Sequence, residues 1–364
     1  MLFNQNQMGR MIGQYMISQG NGSANPRVSV YDVEVKEVGT FTVVNNLSTS
    51  TGIPTSGNGN CFRFNPNGTT LAVAYSASPY IYFFNKVGNA YTKLTDLSGT
   101  NLPNKGCQGI SWHPSGKYLA AVFDANNNIG QCVVYERTAD SFTTITNTSS
   151  FSAAITATIG LIKCAWNPQG DTLALVSADQ PRALIYSFDE TTKTFTKVVN
   201  PFDSHPTARC DDVAWNNSGT SIALAAGTSP FIYIYNRNST ASTATFTKLT
   251  NPTLPSGALY GVSWGGTNSE YLVCNGSVSP YTHFYLRSGN TFMKAANPAT
   301  LGTSDGFGLQ IDTDGRFVVS SHFNANTQYF RRDAANTNTW VNIGPQTTVI
   351  SGTRAPTLYP TYTR

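Results

Sequence analysis

Hydrophobic positions come in short runs separated by Asn, Gly, Pro and Ser, and these runs recur as one unit. Cys61-Phe62-Arg63-Phe64-Asn65-Pro66-Asn67-Gly68 returns as Gly109-Ile110-Ser111-Trp112-His113-Pro114-Ser115-Gly116, and again as Cys164-Ala165-Trp166-Asn167-Pro168-Gln169-Gly170. Further copies surround Trp215, Trp264 and Ile311. The apolar anchors at 64, 112, 166, 215, 264 and 311 lie 48, 54, 49, 49 and 47 residues apart. Internal repetition at such a period points to one supersecondary unit copied many times.

Each copy reads as four short strands. The first ends at the anchor, and an Asn/Pro-x-Gly turn follows, as a tight hairpin requires. The second is apolar, at 71–74, 119–122, 173–176, 222–225, 271–274 and 317–320. The third alternates aromatics, as at 80–84 and 231–235, and the fourth repeats Phe/Tyr-Thr-Lys, as at 91–94, 195–198 and 246–249. Four strands in about 40–50 residues is the mark of a β-propeller blade. A β-helix has much shorter repeats, and an open row of sheets would leave long unguarded edges. Residues 28–44 resemble strands three and four of a blade that lacks its first two, and 347–351 through 359–363 are the expected source of those two. The expected fold is therefore an all-β, seven-bladed propeller of four-stranded antiparallel blades, one blade shared between the N- and C-terminal segments. The domain division is 1–27 as an extension and 28–364 as the propeller.

Composition agrees. Only 12% of the 364 residues are charged, while Asn (34) and Thr (46) fill the polar positions, which favours turns and strands over a helical bundle, a coiled coil or a disordered tail. A net charge of +4, with no basic run beyond Arg331-Arg332, argues against a nucleic-acid partner. No apolar stretch is long enough to insert in a membrane, and residues 1–20 lack the pattern of a secretory signal. Six cysteines, at 61, 107, 132, 164, 210 and 274, include no C-x-x-C pair and read as buried free thiols.

The chain resembles the WD-repeat type of β-propeller over about residues 28–351, although the Trp-Asp dipeptide and Gly-His pair of that family are absent. It is more similar to WD-repeat-like propellers encoded by bacteria and tailed phages. Those carry W-x-P-x-G-x-x-L-A, then Ser-Pro-aromatic, then F-T-K-L-x-x-P-x-x-L-P, matched here at Trp112, at Ser78-Pro79-Tyr80 and over 246–255. The resemblance implies a scaffold for binding or assembly and no specific reaction.

Outside the repeats, the low-charge N-terminal segment carries Leu2, Phe3, Met8, Met11, Ile12, Tyr15, Met16 and Ile17. Adaptable apolar side chains of this kind suit a docking arm, against the bland alternative of a frayed tail. The four histidines, 113, 205, 283 and 322, fall at unlike blade positions with no metal-ligand spacing, so no metal or other cofactor is expected. His113 replaces the Asn of two other turns and reads as a turn variant. Asp211 and Asp212, expected to precede the first strand of the fourth repeat, and Asp305, in a similar place in the sixth, enter the ring on one face. Facing carboxylates there would suit glycoside hydrolysis, and capping a turn or lining a wet channel is the plainer reading.

Ser78-Pro79-Tyr80, Ser229-Pro230-Phe231 and Ser279-Pro280-Tyr281 join second and third strands on that same face. Tyr80, Phe231 and Tyr281 are candidate binding aromatics, unless Pro simply shapes the turn and the ring begins a buried strand. The copies that depart from this element add Asn126, Arg182 and Asn324 as candidate contacts. The expected function is a non-catalytic structural module of a phage virion (tail, collar or capsid decoration), docked through the arm to other proteins of a multi-copy assembly. Alternatives are a carbohydrate- or host-receptor-binding module and a glycan-active enzyme using Asp211, Asp212 and Asp305; the alternative to a virion location is a soluble, cytoplasmic one.

Overall fold

The computed structural model describes residues 59–87, 90–97, 103, 105–126, 129–145, 160–239, 243–250, 257–302, 304–322, 328–333 and 338–345, and the backbone strands at 11–18, 28–35, 41–46 and 361–362. Six antiparallel four-stranded blades follow one another between residues 59 and 345, each running in sequence order from inner to outer strand. The inner strands are Gly59–Phe64, Cys107–Trp112, Leu161–Trp166, Cys210–Trp215, Leu259–Gly265 and Gly306–Ile311. The four-strand reading of each repeat therefore holds.

The second strand of a blade is buried from end to end, as in Thr70–Tyr75, Thr172–Ser177 and Ser221–Ala226. A strand covered on both faces tolerates no polar alternation, which is why these segments read as continuous Leu-Ala-Val runs. Their two faces serve different neighbours. Leu173 and Leu175 pack with Tyr118 and Val122 of the preceding blade, while Ala174 and Val176 pack with Trp215 and Leu224 of the following one. Every described core of this kind but one, the cluster around Phe62 and Tyr75, spans two blades. The anchors stitch the same seams: Trp112 Nε1 donates to Arg63 O (3.0 Å), Trp215 Nε1 to Ala165 O (3.1 Å) and Trp264 Nε1 to Ala214 O (3.2 Å).

The turn after the anchor is held by its own side chain. Asn65 Oδ1 accepts from Thr69 N and Thr70 N, Asn167 Oδ1 from Thr172 N and Asn216 Oδ1 from Ser221 N. The turn closes on glycine at φ +67° to +78° in Gly68, Gly116, Gly170 and Gly219, a left-handed position that a Cβ would strain. His113 fills the Asn position as expected, with Nδ1 2.7 Å from Ser115 Oγ and Nε2 3.0 Å from Gly170 O.

The seven-blade expectation is corrected. Six blades carry packed, described side chains, and the two chain ends build a separate sheet from different pieces than expected. In that sheet Thr361–Tyr362, Met11–Ser18, Val28–Val35 and Phe41–Asn46 lie side by side, and only its backbone pairing is described. The C-terminus thus supplies one two-residue strand instead of two full ones, and residues 347–351 lie outside the described residues. The second strand comes from the N-terminal segment, where Met11 faces Val35 and Tyr15 faces Tyr31. Strand periodicity is hard to see in a run such as Met11–Ser18, where Gly and Gln interrupt the apolar residues.

The sixth turn contains Asp312 where three other turns have Asn. It is fully buried, and its Oδ1 accepts from Arg316 N and Phe317 N while Oδ2 has no partner. Burial pushes its carboxyl up to about 6, against those two hydrogen bonds, with Asp314 adding to the rise. Between the unfolded carboxylate value and about 6 the folded chain binds the extra proton, so this group's contribution to stability falls as pH rises through that window. Asp312→Asn is expected to raise stability by about 1–3 kcal/mol at pH 7 and to change little below about pH 4. Thermal unfolding of both proteins across pH 3–8 checks it.

Candidate functional site

In all six blades the pairing of first and second strands slips once at the same place. The slips fall between Gly59 and Cys61, Cys107 and Gly109, Leu161 and Lys163, Cys210 and Asp212, Leu259 and Gly261, and Gly306 and Gly308. A bulge leaves one residue unpaired and re-aims its side chain. Here those residues are Asn60, Gln108, Ile162, Asp211, Tyr260 and Phe307. All six line one cavity of about 410 Å³, together with Lys163, Arg209, Gly227 and Ala258. Contributions from every inner strand place it at the mouth of the central channel.

The loops between second and third strands lie on this face, as expected. Ala178 N donates to Gly160 O, Gly227 N to Arg209 O and Ser277 N to Ala258 O, which ties each loop to the start of its blade's first strand. The opposite face has an opening of about 320 Å³ among Trp112, Trp166, Trp215, Pro66, Pro114 and Pro168, with Arg63 as its charged side chain. The titratable groups therefore gather at the first mouth.

Charge is distributed unevenly around that mouth. Arg209 Nε donates to Asp211 Oδ1 at 2.7 Å, and its Nη2 lies 2.7 Å from the same oxygen. The Asp211 carboxylate is buried while the guanidinium is more than half exposed, so the ion pair is open on the solvent side. Lys163 crosses the channel and donates to Asn60 O (3.2 Å) and Gln108 O (2.9 Å). Gly109, the equivalent residue in the neighbouring blade, gives Lys163 its room: a Cβ there would sit 3.0 Å from the Lys163 side chain and 3.1 Å from Ile162 O. On the other side Tyr260 and Phe307 stack, ring centres 4.9 Å apart and planes 18° from parallel. Burial pushes the Tyr260 hydroxyl up, Asp305 and then Asp211 push it further, and a Ser277 hydrogen bond and Arg209 oppose them.

One residue deeper, Asp212 Oδ2 accepts from Val262 N at 3.1 Å. Burial raises the Asp212 carboxyl, and Lys163 and Arg63 pull the other way. Burial alone would raise the Cys61 thiol, but Arg63 and Lys163 outweigh it and bring it below its ordinary value. All six cysteines are buried free thiols, as expected. Among the described residues no group of three or more His, Cys, Asp or Glu could hold a metal ion, and no helix is long and apolar enough to cross a membrane.

Of the carboxylates singled out from the sequence, Asp211 lines the cavity with Tyr260, Asp305 acts on that tyrosine through its charge without lining the cavity, and Asp212 turns into the channel. The aromatic candidates are not brought together. Tyr80, Phe231 and Tyr281 sit at φ 66°, 60° and 60° and are half-buried. Tyr80 and Phe231 pack against inter-blade cores, and Tyr281 meets His322 edge-on at 6.5 Å. Arg182 belongs to the same element: Ser177 N donates to Arg182 O, as Ala226 N does to Phe231 O, and its Nε is buried without a hydrogen bond. Asn126 ends a strand opposite Ile129, its side chain outside the description, and Asn324 lies outside the described residues. Leu2, Phe3 and Met8 are also outside them, while Met11, Ile12, Tyr15, Met16 and Ile17 lie in the Met11–Ser18 strand. Asn60, Gln108, Lys163, Arg209, Tyr260 and Phe307 were missed. The repeat does carry a signal for Asn60, Gln108, Tyr260 and Phe307, because the position four before each anchor is the one where Asn, Gln, Ile, Asp, Tyr and Phe replace one another without regard to chemistry.

A family model described as eukaryotic translation initiation factor eIF2A matches residues 104–251, less than half of the chain. A comparison with curated proteins finds no match. Among solved structures, the periplasmic gluconolactonase of Pseudomonas aeruginosa is similar with a TM-score of 0.69 at 12% identity, covering 96% of this chain and 99% of that one. A protein from Lactobacillus plantarum matches with a TM-score of 0.67 at 12% identity, over 96% and 99%. A putative 6-phosphogluconolactonase from Bacteroides fragilis matches with a TM-score of 0.66 at 11% identity, over 98% and 99%. The expectation of a non-catalytic virion module is corrected by these likenesses. Two of the three are named as a gluconolactonase and a putative 6-phosphogluconolactonase.

Lys163 caps two backbone carbonyls that otherwise lose their partner in a desolvated channel. Lys163→Met is expected to lower stability by about 1–3 kcal/mol, measured by urea unfolding with an unchanged m-value. The chain has the fold of a β-propeller with WD-like repeats.

Proposed function

We propose that the channel mouth hydrolyses a sugar-derived lactone. The observation that carries this reading is the ion pair of buried Asp211 with half-open Arg209, set in a cavity of about 410 Å³ between an amide side and an aromatic side. That volume lies in the range of small-molecule sites. Two propellers of similar fold are named as a gluconolactonase and a putative 6-phosphogluconolactonase, which supports the same class of chemistry.

The parts divide the work as follows. The stacked Tyr260 and Phe307 offer an apolar face to the C–H side of a sugar ring, and the Asn60 and Gln108 amides face its hydroxyls. Asp211 takes a proton from a water molecule as its oxygen attacks the lactone carbonyl carbon. Arg209 holds Asp211 in place and offers its remaining N–H groups to the negative charge that gathers on the carbonyl oxygen. The ring C–O bond then breaks, the departing oxygen takes up a proton, and a hydroxy acid leaves.

Acid release from D-glucono-1,5-lactone, followed by pH-stat above the spontaneous rate, is the test. Turnover is expected, and Asp211→Asn is expected to lower kcat/KM by about a hundredfold or more while the protein stays folded. A rate equal to the spontaneous one, or full activity in Asp211→Asn, removes the reading.

A further inference from the structure

The six bulge residues differ in what they can give a substrate. Two are amides, one is aliphatic, one is a carboxylate, one is Phe307, and one, Tyr260, carries a hydroxyl. An amide N–H can donate a hydrogen bond but cannot surrender its proton, and Asp211 acquires one only during the attack, so in the resting site Tyr260 is the one of the six that carries a proton it can surrender. Lactone hydrolysis needs one, because an alkoxide is a poor leaving group.

We propose that the Tyr260 hydroxyl is the proton donor to the departing ring oxygen, a role that rests on the hydrolase reading above. Its placement fits the task. Stacking on Phe307 at 4.9 Å fixes the ring, and the bulge aims it into the same cavity as Asp211. Burial, and after it the nearby Asp305 and Asp211, oppose its ionisation, so it holds its proton until a negative charge appears on the substrate. The proton count closes within the site. Asp211 receives a proton from the attacking water, the ring C–O bond breaks, and the electron pair left on the ring oxygen takes the Tyr260 proton. The resulting tyrosinate is reprotonated by the Asp211 carboxylic acid. One water is consumed, and both side chains return to their starting states.

A proton donor matters in proportion to the basicity of the leaving group. Tyr260→Phe keeps the stacked ring and removes only the hydroxyl. In the full chain it is expected to lower kcat on D-glucono-1,5-lactone by about a hundredfold, with KM nearly unchanged. Dihydrocoumarin and p-nitrophenyl acetate, whose phenolate leaves unaided, are expected to change by less than about threefold. Equal loss on both classes, or no loss on either, overturns the role while leaving the hydrolase reading standing. If the unsubstituted protein turns over none of these substrates, the hydrolase reading falls and takes this role with it. If phenolic substrates alone are not accepted, the solvent deuterium isotope effect on gluconolactone turnover decides: a change in Tyr260→Phe supports the role, and an unchanged effect overturns it. If Tyr260→Phe does not fold, Ser277→Ala, which removes the hydrogen-bond neighbour of the hydroxyl without touching the ring stack, is expected to show a smaller loss with the same leaving-group selectivity. Absence of that selectivity overturns the role.

Discussion

Burial between blades is the interaction on which everything else in this protein rests. A four-stranded blade is one sheet thick and has almost no interior of its own, so each face finds its apolar partner in the next blade. The alternation within a single second strand shows this directly: Leu173 and Leu175 belong to one seam, Ala174 and Val176 to the next. Small residues on one side of the strand and large ones on the other let wedge-shaped blades close around an axis. The Trp Nε1 bonds to the preceding blade's carbonyls at the first, third and fourth copies fix the height of each blade on its neighbour.

That architecture makes the inner end of each first strand unusual. Radial strands crowd there, and the bulge in each one lifts a single residue out of the inter-blade cores. A side chain released from packing is released from the repeat as well. Six copies of one backbone position can therefore carry six chemistries around one axis without disturbing the seams. Asp211 and Tyr260 face the cavity for the same backbone reason that Ile162 and Phe307 do.

The channel below the mouth brings charge into a narrow, poorly solvated space. Lys163 and Arg63 act on Asp212 and on the Cys61 thiol, and Lys163 binds backbone carbonyls of two other blades. Opposite charges at equivalent positions of adjacent blades, with Gly109, Gly261 and Gly308 in others, show that the lumen is shaped by which copies give up a side chain. An isolated charge in such surroundings is costly, and here each is held by hydrogen bonds or an opposing charge.

Much was legible in the chain alone. Anchor spacing, buried second strands and Asn-x-Gly turns each state a local preference that repeats, and repetition makes a weak signal strong. The sequence by itself determined four-stranded blades, a ring, buried thiols and the turn role of His113. It also grouped Asp211, Asp212 and Asp305 on one face, although Asp211 and Asp212 lie within the Cys210–Trp215 strand and only Asp305 precedes its strand. What it did not determine was which side chains meet. Tyr80, Phe231 and Tyr281 share a motif, yet their rings pack against neighbouring blades. Asn60, Gln108, Lys163, Arg209, Tyr260 and Phe307 share none, yet all of them line one cavity. The ends show the same limit, since a strand as irregular as Met11–Ser18 declares itself only through its partners. Local patterns record what a residue needs from its neighbours in sequence, and only closure of the ring brings together residues some fifty positions apart.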